Sequence, residues 1–211
     1  MKLHLGCGQI YLKGYVNIDL PLAKRSSQKN SIADLHQDIL KLKYSADSIE
    51  EIRLHHVFEH FTRPVACALI SAWYLWLKPG GILRIEVPDF YRTAKVIFNP
   101  FIKDNKKARA TRHLYGSHEA PWAIHCEGYT PKSLSLFLKN YGFKVLKIKK
   151  NSWKGTYNFE IFAKKSTCTL DLYNLEVNTI KYLKSFLVDK SEQRIFNIWM
   201  KAYRKQLKKM I

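Results

Sequence analysis

Runs of apolar residues with period two and period three-to-four divide this chain into its elements. Residues 2–5, Lys-Leu-His-Leu, form a short run that halts at Gly6-Cys7-Gly8, which predicts a buried strand entering a tight turn. Residues 15–18 predict a second strand ending at Asp19, residues 32–35 a brief third leading to Asp38-Ile39, and residues 51–55 a fourth. Between 61 and 77 the apolar positions Val65, Leu69, Ile70, Trp73, Trp76 and Leu77 recur at helical spacing, and Lys78-Pro79-Gly80-Gly81 stops that helix. Residues 82–87 alternate as a fifth strand, closed by Pro88-Asp89. One basic helix is predicted over 91–113 and a loop rich in functional side chains over 114–129. Thr130-Pro131 starts a further helix, with Leu134, Phe137 and Leu138 on its apolar side and Gly142 at its end. Residues 143–150 and 157–164 alternate as two antiparallel strands joined around 151–155. Two more helices follow Leu170, carried by Leu175, Ile180 and Leu183 and then by Phe196, Trp199 and Tyr203. Strands alternating with helices predict an α/β fold, a mainly parallel sheet ending in an antiparallel strand, over residues 1–165. Residues 166–211 form a basic helical C-terminal extension.

Composition narrows the class. The 211 residues are 46% hydrophobic and 25% charged, which excludes wholesale disorder. No run approaches the roughly 18 apolar residues that span a bilayer. The first residues run straight into a strand without an apolar leader, so the expected location is the cytoplasm, where thiols stay reduced. Cys7, Cys67, Cys126 and Cys168 are far apart and form no C-x-x-C pair; Cys67 reads as a small buried hydrophobe. Charge alters the picture most. Lys and Arg number 36 against 17 Asp and Glu, a formal +19, and from Lys144 onward the balance is 16 against 5. Such an excess points to an anionic partner, small molecule or polyanion, or to an acidic membrane surface met by the C-terminal helices. Nucleic acid ranks behind these, because no recognisable RNA-binding module is present.

The chemistry concentrates at strand ends. Gly6 and Gly8 let backbone approach a ligand closely, and Asp19, closing the next strand, can accept both hydroxyls of a ribose. Only ten residues separate Leu5 from Val16. That is too short for a long crossover helix, so a pyrophosphate would find little helix N-terminus, and a ligand with a ribose but no phosphate fits better.

Leu3-His4-Leu5-Gly6-Cys7-Gly8 with Gly14-Tyr15-Val16-Asn17-Ile18-Asp19 resembles the first motif of class I S-adenosylmethionine-dependent methyltransferases, whose fold is Rossmann-like. So do His55-His56-Val57-Phe58-Glu59-His60-Phe61, Leu77-Lys78-Pro79-Gly80-Gly81, Pro88-Asp89-Phe90 and Tyr141-Gly142-Phe143, in order, across about residues 2–164. The compact UbiE-like, type 11 members, often associated with surface-glycan synthesis, are the most similar. The resemblance implies that Gly6 and Gly8 pass under the methionine and ribose and that Asp19 binds the ribose. It also implies that Asp38 accepts the adenine amino group, that Ile39 packs on the ring, and that His55 and His56 lie near the methyl group. Methyl transfer to a hydroxyl calls for positioning and a base. His125 is the first candidate, then Asp89 and His118. His56 and His60, four apart, could share a zinc ion with His125 or Cys126, but the pattern is not H-E-x-x-H and Glu59 stands where it could cap a helix. No metal is therefore expected.

Overall fold

The buried runs assemble into one sheet in a computed structural model that describes residues 1–21, 32–167 and 170–211. The strands are β1 (Lys2–Leu5), β2 (Val16–Asp19), β3 (Leu35–His36), β4 (Ile49–His55), β5 (Leu77–Pro88), β6 (Phe143–Trp153) and β7 (Thr156–Lys165). Their order is β3-β2-β1-β4-β5-β7-β6. The first five run parallel, and β7 runs antiparallel between β5 and β6. The order reverses direction between β1 and β4, and open α/β sheets bind ligands at the carboxyl ends of strands beside such a switch point.

Leu3, Leu5, Ile52, Leu54, Leu83 and Ile85 fill the centre of the sheet and are fully buried. Helix α1 (Arg63–Trp76) lies on it, with Pro64 in its first turn. Nearly every α1 side chain is buried, Ala66, Ala68 and Ala72 included, beyond the single stripe that the sequence pattern predicted. A helix apolar all round needs a cover on each side. The second cover comes from α5 (Leu172–Lys184) and α6 (Gln193–Met210). Tyr203 is fully buried with its hydroxyl 3.3 Å from Ser71 Oγ, and Trp76 Nε1 donates to the Met210 carbonyl at 3.1 Å. The C-terminal helices therefore share the core of the sheet domain.

Four expectations shift. The third strand starts at Leu35 instead of Ile32, because Asp34 spends its carboxylate on Asn17, from both the backbone N–H (2.8 Å) and Nδ2 (3.0 Å). The single helix over 91–113 is two, α2 (Phe90–Phe98) and α3 (Asp104–Tyr115), broken where Pro100 disfavours helical backbone at Asn99. Lys78–Gly81 is no separate turn: α1 passes directly into β5. There β4 advances two residues (49 to 51) while β5 advances five (77 to 82), so the glycine segment bulges out of register. The β6–β7 hairpin runs on to Trp153, and its turn is Lys154-Gly155, both with positive φ, which matches the strand twist. Helix α4 (Pro131–Asn140) starts with a reciprocal capping box between Thr130 and Ser133. The basic segment over 21–31 lies outside the described residues apart from Pro21, as does Cys168.

Because α6 completes the core, Tyr203→Ala is expected to lower unfolding free energy by about 3–5 kcal/mol, the range for emptying a buried aromatic site. Tyr203→Phe removes only the hydroxyl, which meets Ser71 and Thr179, and should cost about 1–2 kcal/mol. Urea titrations of both variants check this; an unchanged midpoint for the alanine variant would mean that the extension is not part of the cooperative unit.

Candidate active site

Gly6 and Gly8 follow β1 with φ of +65° and +56°, the left-handed region that other residues enter only with strain. A Cβ on Gly6 would stand 2.3 Å from Val57 Cγ2, so only glycine lets this turn pass the segment after β4. Asp19, at the end of β2, accepts from Gly8 N at 2.8 Å and from Leu20 N at 2.6 Å. An ionised carboxylate accepts about four hydrogen bonds, so fixing the loop does not stop it binding ligand hydroxyls. The short link between β1 and β2 is held by Asn17, fully buried, whose Oδ1 accepts from Leu12 N and whose Nδ2 donates to Leu12 O and Tyr15 O. His4 completes this knot at 3.0 Å from Asn17 Oδ1. Burial pushes its pKa down, against that hydrogen bond.

Two cavities open over these strand ends. The smaller, about 490 Å³, is lined by Gly6, Gly8, Asp19, Asp38, Ile39 and Val57 among others. Asp38 caps the 3-10 turn Ile39–Lys41 by accepting from Leu40 N at 2.9 Å. The larger, about 1140 Å³, is walled by α3 through Arg109, Arg112 and His113 and by the β6–β7 hairpin through Trp153 and Lys154. Gly6, Gly8, His56, His60 and Trp122 line both, so the cavities meet there.

A cluster of imidazoles around a buried carboxylate stands at this junction. Glu59, in the 3-10 turn Phe58–His60, is 1% exposed. It caps no helix: its Oε1 faces His56 Nδ1 at 3.2 Å and His125 Nε2 at 3.9 Å. Burial would raise the Glu59 pKa, but His56, His60 and His125 outweigh it and hold it low. His56 has φ of +52° and puts its other nitrogen 3.6 Å from Glu86 Oε1. Burial opposes its charge, yet the carboxylates of Glu59 and Glu86 win and raise its pKa to about 10. Burial dominates at His125 and His113 and lowers both, so their neutral rings can accept a proton near pH 7. His60 Nδ1 donates to the Ile124 carbonyl at 3.1 Å, and its ring meets that of His125 edge-on, centroids 4.7 Å apart.

Residues 6–148, more than half of the chain, match the family described as a methyltransferase domain. The chain belongs to that family. Solved structures of S-adenosylmethionine-dependent methyltransferases share the fold. One from Methanosarcina mazei has 16% identity and a TM-score of 0.52, over 78% of this chain and 92% of its own. One from Mesorhizobium loti has 14% identity and a TM-score of 0.51, over 77% and 90%. The 1,6-didemethyltoxoflavin-N1-methyltransferase of Burkholderia thailandensis, which holds its substrate and S-adenosylhomocysteine, has 12% identity and a TM-score of 0.53, over 78% and 70%. No curated protein matches the sequence.

In this methyltransferase, Gly6, Gly8, Asp19, Asp38 and Ile39 come together around the smaller cavity, as does His56. His55 faces only the larger one, where its Nε2 accepts from Arg53. His125 also lines the larger cavity. Asp89 and His118 line neither: Asp89 is buried and caps α2 by accepting from Arg92 N at 3.1 Å, while His118 is exposed and held by the Tyr115 carbonyl. Sequence reasoning did not find Glu86, His113, Arg109, Arg112 or the Asn17 knot. Glu86 left a signal, an acid inside the apolar strand Ile85-Glu86-Val87; His113 left none, since its partners Tyr157 O and Asn158 Oδ1 belong to a distant strand.

Gly6→Ala is expected to destabilise the fold by more than about 1 kcal/mol, because left-handed backbone alone costs that much and the Val57 clash adds to it. Adding Val57→Ala should recover part of the loss, since it relieves the clash and leaves the φ strain. Thermal denaturation of the single and double variants checks this, and no recovery would mean that the close approach does not set the turn.

Proposed function

We propose that the protein transfers the methyl group of S-adenosylmethionine to a hydroxyl of an anionic acceptor, such as a nucleotide-, phosphate- or lipid-linked sugar. The observation that carries this reading is the meeting of a glycine- and aspartate-lined cavity with a wider cationic one at His56 and His60. Left-handed turns at Gly6 and Gly8 leave room where a Cβ would intrude, and Asp19 and Asp38 offer carboxylates to a nucleoside, so the residues present fit the cofactor. Asp19 would hold the ribose, Asp38 the adenine amino group, and Ile39 the ring face. When bound, S-adenosylmethionine supplies an electrophilic methyl carbon on a sulfonium. The family membership and the S-adenosylhomocysteine in the Burkholderia relative support this choice.

The chain's own groups do the rest. Arg109, Arg112 and Lys154 give the larger cavity the charge to hold an anion, and Trp122 and Trp153 give it flat apolar faces for a sugar or base ring. His125 lines the larger cavity and, neutral near pH 7, would take the hydroxyl proton. The Glu59 carboxylate 3.9 Å away stabilises the imidazolium that results. No described helix is long and apolar enough to cross a membrane, and a lipid-linked acceptor would be reached from the surface.

Calorimetric titration with S-adenosylmethionine and S-adenosylhomocysteine tests the cofactor. Asp19→Ala should weaken binding by about 1.5–3 kcal/mol, the scale for losing hydrogen bonds to a charged group. No binding by folded wild-type protein would sink the enzyme reading. Screening acceptor classes with radiolabelled methyl donor tests the substrate: Arg109→Ala with Arg112→Ala should raise KM for anionic acceptors and leave donor affinity unchanged. An active protein that prefers neutral acceptors would overturn the anionic assignment. His125→Ala should lower kcat by about 10²–10⁴, the usual worth of a general base, with donor binding intact.

A further inference from the structure

The junction of the two cavities holds more unsatisfied polar chemistry than a lone base requires. Glu59 Oε2 is buried with no hydrogen-bond partner, and so is His125 Nδ1. His60 donates through Nδ1 to the Ile124 carbonyl, which fixes the tautomer and leaves the lone pair on Nε2. Backbone carbonyls orient metal-bound histidines in the same way. Each of Glu59, His60 and His125 offers a ligand atom, and these atoms lie within 4.8 Å of one another. We infer that Glu59, His60 and His125 form a site for one divalent transition-metal ion, of the zinc, manganese or cobalt kind, at the mouth of the acceptor cavity.

Two imidazoles and one carboxylate are the donor set of catalytic zinc and of non-haem iron sites. Ligand atoms in a tetrahedral site with bonds near 2.1 Å stand about 3.4 Å apart, so small side-chain rotations close the triad. The spacing of four pairs His56 with His60 as ligands. In the structure His56 precedes the turn, and both its nitrogens face carboxylates, so Glu59 takes the place that the spacing gave to His56. Cys126 is exposed and stands outside the triad. The other cluster, His55 with Glu86 and Glu160, is already satisfied: Arg53 donates to His55 Nε2, Arg84 pairs with Glu160, and His56 faces Glu86. An orphaned buried carboxylate oxygen beside an oriented imidazole is what separates the first cluster from the second.

The site deepens the methyl-transfer reading and rests on it for its purpose. Held by these three residues, an ion would draw in the acceptor hydroxyl and lower its pKa; the O–H bond would break with its electron pair staying on oxygen, and the proton would pass to water in the wide cavity. His125 then serves as a ligand, with the ion taking over the task of the base.

Chelator-stripped full-length protein titrated with Co²⁺ tests this, read by visible d–d absorption and by calorimetry, with Zn²⁺ and Mn²⁺ as competitors. The expected result is one ion per chain at micromolar affinity, weakened at least tenfold by Glu59→Gln, His60→Ala and His125→Ala and unchanged by His118→Ala. S-Adenosylhomocysteine binding and thermal midpoints, measured on the same samples, report whether each variant folds. Absence of a stoichiometric site, or a site indifferent to the three substitutions, overturns the proposal. Nucleoside binding without metal leaves the methyltransferase reading with His125 as base, whereas metal binding without nucleoside removes that reading and keeps the site.

Discussion

A carboxylate that cannot reach water organises the centre of this molecule. Glu59 is almost fully enclosed, and an ionised group in that position costs several kcal/mol unless charge and hydrogen bonds answer it. His56 answers from one side, and His60 and His125 come from the others. The same residue recruits the chain through its backbone: its carbonyl accepts from Cys126 N at 2.8 Å and from Glu127 N at 3.2 Å, which brings the segment carrying His125 over the strand ends. Its neighbour Phe58 points the other way and packs among Trp73, Tyr129 and Phe137 in the core. One 3-10 turn thus ties the hydrophobic interior to the junction of the two cavities.

The strands at the heart of the sheet were legible because burial on both faces leaves apolar runs, and the hairpin was legible because β6 and β7 alternate. What escaped was set by contacts between distant parts. The late start of β3 follows from Asn17 claiming Asp34, and nothing in the local sequence around Ile32 announces it. Proline at 100 did announce the break between α2 and α3, and basic periodicity across the gap hid it. Gly6, Gly8, Asp19 and Asp38 could be grouped in advance because each closes or follows a strand on the same sheet edge. Glu86 and His113 meet His56 only once β5 and α3 are in place.

The strong positive charge also divides more sharply in space than along the chain. Along α6 the bases Lys201, Arg204, Lys205, Lys208 and Lys209 flank a face that is buried against α1, so part of the C-terminal charge is the solvated outside of a core helix. Arg204 is further occupied by Glu176. The cations that face the larger cavity come instead from α3 and the hairpin turn.

That division has an evolutionary consequence. The glycines and aspartates lining the smaller cavity are anchored by backbone geometry and hydrogen bonds near the first four strands, where a single methyl group can be too much. The far wall of the larger cavity rests on an exposed two-residue turn and on one face of a short helix. On the proposed reading, changes in Trp153, Lys154 or Arg109 would alter the acceptor and leave the donor side untouched. If the proposal holds, a lineage carrying this scaffold could diversify its acceptors by drifting at a few surface positions, while the glycine- and aspartate-lined cavity stayed nearly frozen.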